Sequence, residues 1–489
     1  MKEACGVFGV YAPGAPVAQL TFDGLYALQH RGQESAGMAV SDTEAITVVK
    51  DMGLVTTVFD ERTVSCLPGD LAIGHTRYST TGSSTWRNAQ PVFRPTGTAG
   101  FALAHNGNLT NTEALAEAAG MLPGFVASDS DLVAELLAQR QKPGVSLEAA
   151  LAEVLPMLEG AFSFVLLDAT GVVGVRDPNG FRPLCLGRLG PEEDPSGWVL
   201  ASETPALDVI GASFVREVGP GEMVAIDADG VRSEQVFPAE RVDPRLCIFE
   251  FVYFARPDSR LYGREVHGTR RRMGELLATQ APVEADMVMG VPDSGLPAAE
   301  GYALRSGIPY GQGLVKNRYI GRTFITPGQE ARAAGVRRKL NPLRENITGK
   351  RLVVVDDSIV RGTTTRSMVR MLREAGAVEV HLRVSSPPFG WPCFYGIDTP
   401  TRSELLASSR TVDQIREYLG VDSIEYLTLE NLLMATGVAD AGFCSACLTG
   451  HYPAAVPAEA GIELAPLPAG GLAGADALAV AGHRSIANA

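Results

Sequence analysis

Along the first half of the chain the apolar positions switch repeatedly between two periods. The stretch "LTFDGLYALQHRG" carries them at helical spacing, and "NTEALAEAAGML", "SDLVAELLAQRQ" and "SLEAALAEVLPMLEG" return to that spacing further on. Between them lie short β-branched runs: "VFGVYA", "GMAVSD", "AITVVKDMG", "LAIGHTRYST", "AFSFVLLDA" and "GVVGVRDP". Two more strands are joined through Asp229-Gly230 in "MVAIDADGVRS", a tight-turn signal flanked by apolar residues. Strands arriving in such pairs predict antiparallel sheets with helices packed outside. This domain is expected to cover residues 5–235.

From about residue 245 the pattern changes. "ADMVMGVPDSGLPAAEGYALRSG" and "KRLVVVDDSIVRGTTTRSMVRMLREAG" each run strand, turn, helix, and "AVEVHLRVSSPP" supplies a further strand. That alternation predicts a parallel α/β sheet in a second domain over 236–453. Between these units "KNRYIGRTFITPGQEARAAGVRRKLNPL" is rich in Gly, Arg and Lys with weak periodicity, and it reads as a long functional lid from Lys316 to Lys339. Residues 454–489 are mostly Ala, Gly, Leu and Pro without pattern, and a poorly ordered tail is expected there.

A length of 489 residues agrees with two domains. The charge balance narrows the partners. With 42 basic against 56 acidic residues and a net charge of −14, the surface is not built for nucleic acid. No apolar run is long enough to cross a bilayer, so a soluble, cytoplasmic protein is expected. Met1 to Ala4 are too few and too polar for a secretory signal, yet they stand before a cysteine. If that leader were removed, the Cys5 thiol and a free α-amine would belong to one residue, placing a nucleophile beside a base. Seven cysteines, sparse and odd in number, do not form a secreted disulfide framework. Cys444 and Cys447 make the C-x-x-C of "GFCSACLTG", which by spacing alone is redox-active, metal-binding or incidental.

The strongest local signal is "VVVDDSIVRGTTT" at 353–365. An apolar run ends at Asp356 and Asp357, at the carboxyl edge of a parallel strand where such sheets bind ligands. The small and hydroxylated residues from Ser358 to Thr364 then open a helix, so backbone N–H groups and hydroxyls can converge on a phosphate. Paired carboxylates beside an anion nest suit a phosphorylated sugar: they accept hydrogen bonds from ribose hydroxyls and help to hold Mg2+. This stretch resembles the phosphoribosylpyrophosphate motif of type I phosphoribosyltransferases. The resemblance implies that Asp356, Asp357, Ser358, Arg361, Gly362, Thr363 and Thr364 bind that substrate. A second loop, "GVPDSG" at 290–295, would hold pyrophosphate through Asp293, Ser294 and Gly295, with Ser294, Asp356 and Asp357 at the Mg2+ site.

The front of the chain then gains a reading. "ACGVFGV", "ALQHRGQESAGMAV", "GHTRYSTTG", "LAHNGNLTN" and "SDSDLV" resemble, in order and spacing, the class II glutamine amidotransferases, which are N-terminal nucleophile hydrolases of αββα architecture. That resemblance implies Cys5 as nucleophile, Arg77 on the glutamine α-carboxylate and Asp129 on its α-ammonium. It implies an oxyanion hole from the Asn106 side-chain amide and the Gly107 N–H. Asp131 departs from the family pattern, where Glu is common.

A glutaminase joined to a phosphoribosyltransferase resembles one family, the glutamine phosphoribosylpyrophosphate amidotransferases, over residues 5–453. The expected reaction forms 5-phosphoribosylamine, glutamate and pyrophosphate, the first step of de novo purine synthesis. Within that family Cys247, Cys393, Cys444 and Cys447 match the ligands of an iron-sulfur form with a 4Fe-4S cluster. Feedback by purine nucleotides and a homotetramer are further implications of the resemblance. Two rivals explain less. A phosphoribosylpyrophosphate-sensing regulator leaves Cys5, Arg77, Asn106 and Asp129 without a role, and a glucosamine-6-phosphate synthase would need sugar isomerase domains.

Overall fold

The structure is a computed structural model that describes residues 5–78, 85–97, 99–121, 128–317, 339–397, 399, 401–438 and 442–457. The expected leader (1–4), nearly all of the expected lid (318–338) and the tail from 458 onward lie outside the described residues.

The first domain holds two antiparallel sheets packed face to face. One has seven strands in the order Ser213–Glu217, Cys185–Leu189, Gly197–Ala201, Gly6–Tyr11, Leu71–Arg77, Ser35–Ser41 and Ile46–Met52. The other has six, in the order Gly230–Gln235, Glu222–Asp227, Val172–Arg176, Gly160–Leu167, Phe101–Leu109 and Val92–Arg94. Alternate residues on the facing strands, among them Val7, Ile73, Ala104, Val165 and Leu200, form the layer between the sheets. The opposite faces are covered by helices: Val17–Ala27 on the first sheet, Asp129–Arg140 and Leu147–Val154 on the second. The result is an αββα sandwich. The chain leaves the second sheet at Gln235.

The second domain is built on four parallel strands in the order Met287–Gly290, Arg351–Asp356, Glu379–Val384 and Ser423–Tyr426. Period-2 alternation divides its core, as a sheet covered on both faces requires. Val353 and Val355 pack toward helices Val266–Gln280 and Leu296–Ser306, whereas Leu352 and Val354 pack toward Thr363–Glu374 and Val412–Leu419. A short parallel pair, Leu246–Cys247 with Phe443–Cys444, ties the start of this domain to its end. Just beyond it the segment Glu250–Phe254 forms a single π-helical turn. Among the described residues no helix is long and apolar enough to cross a membrane.

Candidate active sites

In the first domain the register Gly6 opposite Thr76 places Cys5 across from Arg77, at the end of the two central strands of the seven-stranded sheet. The Cys5 thiol donates to the Tyr78 carbonyl at 3.4 Å, and the Tyr78 N–H approaches the sulfur at 3.5 Å. Burial pushes the thiol up from its ordinary value, while the Tyr78 backbone and the Arg77 charge work in the other direction. A buried thiol of this kind is a poor nucleophile until a base takes its proton.

Asn106 and Gly107, the expected oxyanion residues, lie on Phe101–Leu109, in the sheet facing Cys5. Asn106 is fully buried, and neither its amide nitrogen nor its amide oxygen has a hydrogen-bond partner among the described residues. Buried amides almost always find partners, so an unpaired one marks a place where a ligand atom is expected. Gly107 follows with φ +151°, and a Cβ there would lie 2.0 Å from the Ala161 carbonyl oxygen, so no other residue fits. Asp129 opens helix Asp129–Arg140, where its carboxylate accepts the N–H groups of Leu109 (3.1 Å) and Ser130 (2.8 Å). Its charge acts on the Cys5 thiol, so Arg77, Cys5 and Asp129 share one site. The departure at Asp131 falls elsewhere: its side chain faces Arg94 at 2.5 Å.

In the second domain Asp356 and Asp357 end strand Arg351–Asp356, as the sequence pattern predicts. Ser294 donates to one oxygen of Asp357 and Ser358 to the other, both at 2.5 Å, and the Asp357 N–H reaches Asp356 at 3.0 Å. Burial and the neighbouring Asp357 charge push the Asp356 carboxyl well above its ordinary range. Two carboxylates and a hydroxyl held this close suit a divalent cation with oxygen ligands. Gly362 caps helix Thr363–Glu374, so the N–H groups of Thr363 and Thr364 open a twelve-residue helix beside the aspartates. Gly295 brings the 290–295 loop against the same strand, since a Cβ there would lie 2.4 Å from the Val355 carbonyl oxygen. Asp293 pairs with Lys316, at the start of the expected lid. Arg361 is directed elsewhere, to Glu404 at 2.9 Å, so its guanidinium is not aimed at the nest.

The four late cysteines converge. Cys247 pairs in register with Cys444, the Gly390 and Trp391 N–H groups donate to the Cys447 carbonyl, and Cys393 acts electrostatically on Cys247, Cys444 and Cys447. All four are free thiols. Burial pushes Cys247 up to about 12 and raises the other three. Among the described residues no three His, Cys, Asp or Glu side chains are gathered tightly enough for one ion. Four thiolate donors are the soft ligand set that an iron-sulfur cluster takes, and that a structural zinc takes as well. The cation facing them is Arg182, whose charge works on Cys247, Cys393 and Cys444.

The sequence reading missed a buried ionic network between the sites. Arg31, Glu203, Arg182 and Glu250 all have fully buried side chains. The Arg31 Nε donates to the Cys5 carbonyl at 2.9 Å, and its other nitrogens bind both oxygens of Glu250 at 2.9 and 3.0 Å. Arg182 reaches Glu250 at 3.2 Å and the Tyr395 carbonyl at 2.7 Å. One signal could have found it: Glu250 is a lone carboxylate in the apolar run "CIFEFVYFA". A charge in such a run is either exposed on one face or buried with a partner.

Comparison with known proteins agrees with both halves. Residues 75–209 match the glutamine amidotransferase domain family and residues 264–386 the phosphoribosyl transferase domain family. The chain is 54% identical over 471 residues to the amidophosphoribosyltransferase of Mycobacterium bovis, covering 94% of this chain and 88% of that one. It is 52% identical over 459 residues to that of Synechocystis, covering 93% and 92%. Among solved structures it is similar to the glutamine phosphoribosylpyrophosphate amidotransferase of B. subtilis complexed with ADP and GMP, with a TM-score of 0.85, 45% identity and coverage of 93% and 98%. The chain belongs to the amidophosphoribosyltransferase family, an enzyme with glutaminase and phosphoribosyltransferase halves that carries out the first step of purine synthesis.

Proposed function

We propose that Cys5, once residues 1–4 are removed, is the glutaminase nucleophile and that its own α-amine takes the thiol proton. The thiolate attacks the glutamine carboxamide, held by Arg77 at its α-carboxylate and Asp129 at its α-ammonium. The developing oxyanion accepts hydrogen bonds from the Asn106 amide and the Gly107 N–H. Ammonia leaves, water cleaves the thioester, and glutamate departs. In the second domain Asp356 and Asp357 orient the ribose, the 358–364 nest holds the 5-phosphate, and the 290–295 loop holds pyrophosphate. Ammonia passed between the halves forms the new bond at C1 as the bond to pyrophosphate breaks.

Mg2+ at Ser294, Asp356 and Asp357 would neutralise charge on the pyrophosphate group. A 4Fe-4S cluster on Cys247, Cys393, Cys444 and Cys447 would hold the two ends of the second domain together. The ADP and GMP of the B. subtilis complex support purine nucleotides as inhibitors here, since a nest for a 5-phosphate also accepts a nucleotide's. A cytoplasmic homotetramer completes the reading.

The observation that carries this proposal is the unpartnered Asn106 amide in the sheet facing the Cys5–Arg77 pair. The test supplies phosphoribosylpyrophosphate with either glutamine or high ammonia and measures pyrophosphate release. Cys5→Ala should abolish the first and retain the second; loss of both would overturn the division of labour.

A further inference from the structure

The glutaminase nucleophile is held in part from the other domain. Cys5 has its carbonyl fixed by Arg31, and Arg31 is shared between Glu203 of its own domain and Glu250 of the second. Burial works against the Arg31 charge, and the two carboxylates outweigh it. Glu203 is also held by His30 at 2.8 Å, by the Ser259 hydroxyl and by the Arg256 N–H at 2.9 Å. Glu250 belongs to the π-helical turn Glu250–Phe254, and the far side of that turn is fixed as well. Arg270, itself buried, donates at 2.8 Å to the carbonyls of Phe251 and Ala255 and feels the charge of Asp357. A chain of contacts therefore runs from the Cys5 backbone through Arg31, Glu250 and the π-helical turn to Arg270.

We infer that Glu250 is a positioning residue for the glutaminase reaction: through Arg31 it sets the Cys5 backbone, and so the sulfur, against the Asn106–Gly107 oxyanion hole. The inference rests on Cys5 as nucleophile. Its chemistry is that of a buried bidentate ion pair, whose planar guanidinium transmits orientation as well as charge. Glu250 touches neither substrate. Two features argue against simple filling of the interface. The carboxylate is shared by two arginines, Arg31 and Arg182, that approach it from different parts of the first domain. The second arginine also holds Tyr395, two residues from Cys393, while the neighbouring Asn108 side chain donates to the Phe394 carbonyl at 3.0 Å. Both members of the glutaminase geometry, the nucleophile and the oxyanion strand, are thus registered on the second domain.

The test uses the full-length enzyme with Glu250→Gln, which keeps the shape and removes the charge. Glutamine-dependent kcat should fall by roughly 10-fold or more, as misplacement of a reacting group does, with KM for glutamine nearly unchanged and ammonia-dependent kcat within about twofold of the parent. Labelling of Cys5 by an electrophilic diazoketone analogue of glutamine should slow in parallel. Arg31→Lys tests the same contact from the other domain, because Glu250 keeps Arg182 and Glu203 keeps His30. It should give the same split between nitrogen sources. If either variant folds and keeps parental glutamine-dependent kcat, or loses both activities equally, the positioning role is wrong. Cys5→Ala is the separate control: labelling that survives it refutes the nucleophile assignment instead.

Discussion

Removing the Asn106 amide should separate stability from activity. In most buried sites an Asn→Ala change breaks hydrogen bonds and destabilises the fold. At Asn106 there is no partner to lose among the described residues. Keeping such an amide out of water costs about 1–3 kcal/mol in the resting enzyme, and Asn106→Ala recovers part of that. The same change leaves a small void, worth about 1 kcal/mol in the opposite direction. The two nearly cancel, so urea unfolding should move by no more than about 1 kcal/mol. Glutamine-dependent kcat should behave quite differently. If Asn106 has its proposed role, the change removes one oxyanion donor, which costs about 2.7–4 kcal/mol of transition-state stabilisation, or roughly 10²- to 10³-fold. Parallel assays with glutamine and with ammonia, read against a urea titration, check both halves. A loss of more than about 3 kcal/mol in stability with both activities falling together would refute the reasoning, as would a glutamine rate reduced less than about 10-fold.

Asp356→Asn with Asp357→Asn should stop product formation from either nitrogen source, because the ribose and Mg2+ contacts proposed for them would serve both; full ammonia-dependent activity in the double variant would sink that assignment. Cys444→Ser should remove iron, sulfide and brown absorbance from protein purified anaerobically and lower its melting temperature, since Cys444 is in register with Cys247 at the join between the ends of the second domain. Iron and sulfide analysis decides it: a full cluster in the variant returns the C-x-x-C to an incidental pair.

The legible parts of the molecule were those written in local pattern. Strand Arg351–Asp356 could be read because four β-branched or apolar residues precede two aspartates and a run of small residues, a sequence that few other structures tolerate. The helices Asp129–Arg140 and Leu147–Val154 could be read from their spacing, and the structure shows Ser128 and Ser146 capping them. Strand Phe101–Leu109 was less plain, because its second half, "HNGNL", is polar and contains a glycine. In the proposed mechanism Asn106 and Gly107 serve the oxyanion hole, and such a role would replace the alternation that announces a strand. Helix Val266–Gln280 was not foreseen for a related reason. Its "TRRRMGE" centre looks like an exposed basic run, yet Arg270 is buried on the inner face with two backbone carbonyls as partners.

The buried ionic network was the least legible feature, and the reason is physical. Arg31, Arg182, Glu203 and Glu250 come from four distant stretches, and all but Glu250, which stands in an apolar run, read alone as ordinary surface charges. Burying any one of them unpaired would cost several kcal/mol, so none makes sense inside until the other three are present. Two guanidinium groups and two carboxylates close to neutrality, and backbone carbonyls at Cys5 and Tyr395 take up further N–H groups. Well-packed apolar residues could fill the same space at no loss of stability. That comparison argues that the network is kept for placement. It fixes the backbone of Cys5, the proposed nucleophile, from across a domain boundary, where apolar contacts, which have no preferred direction, could hold the two halves together but could not set the angle between them.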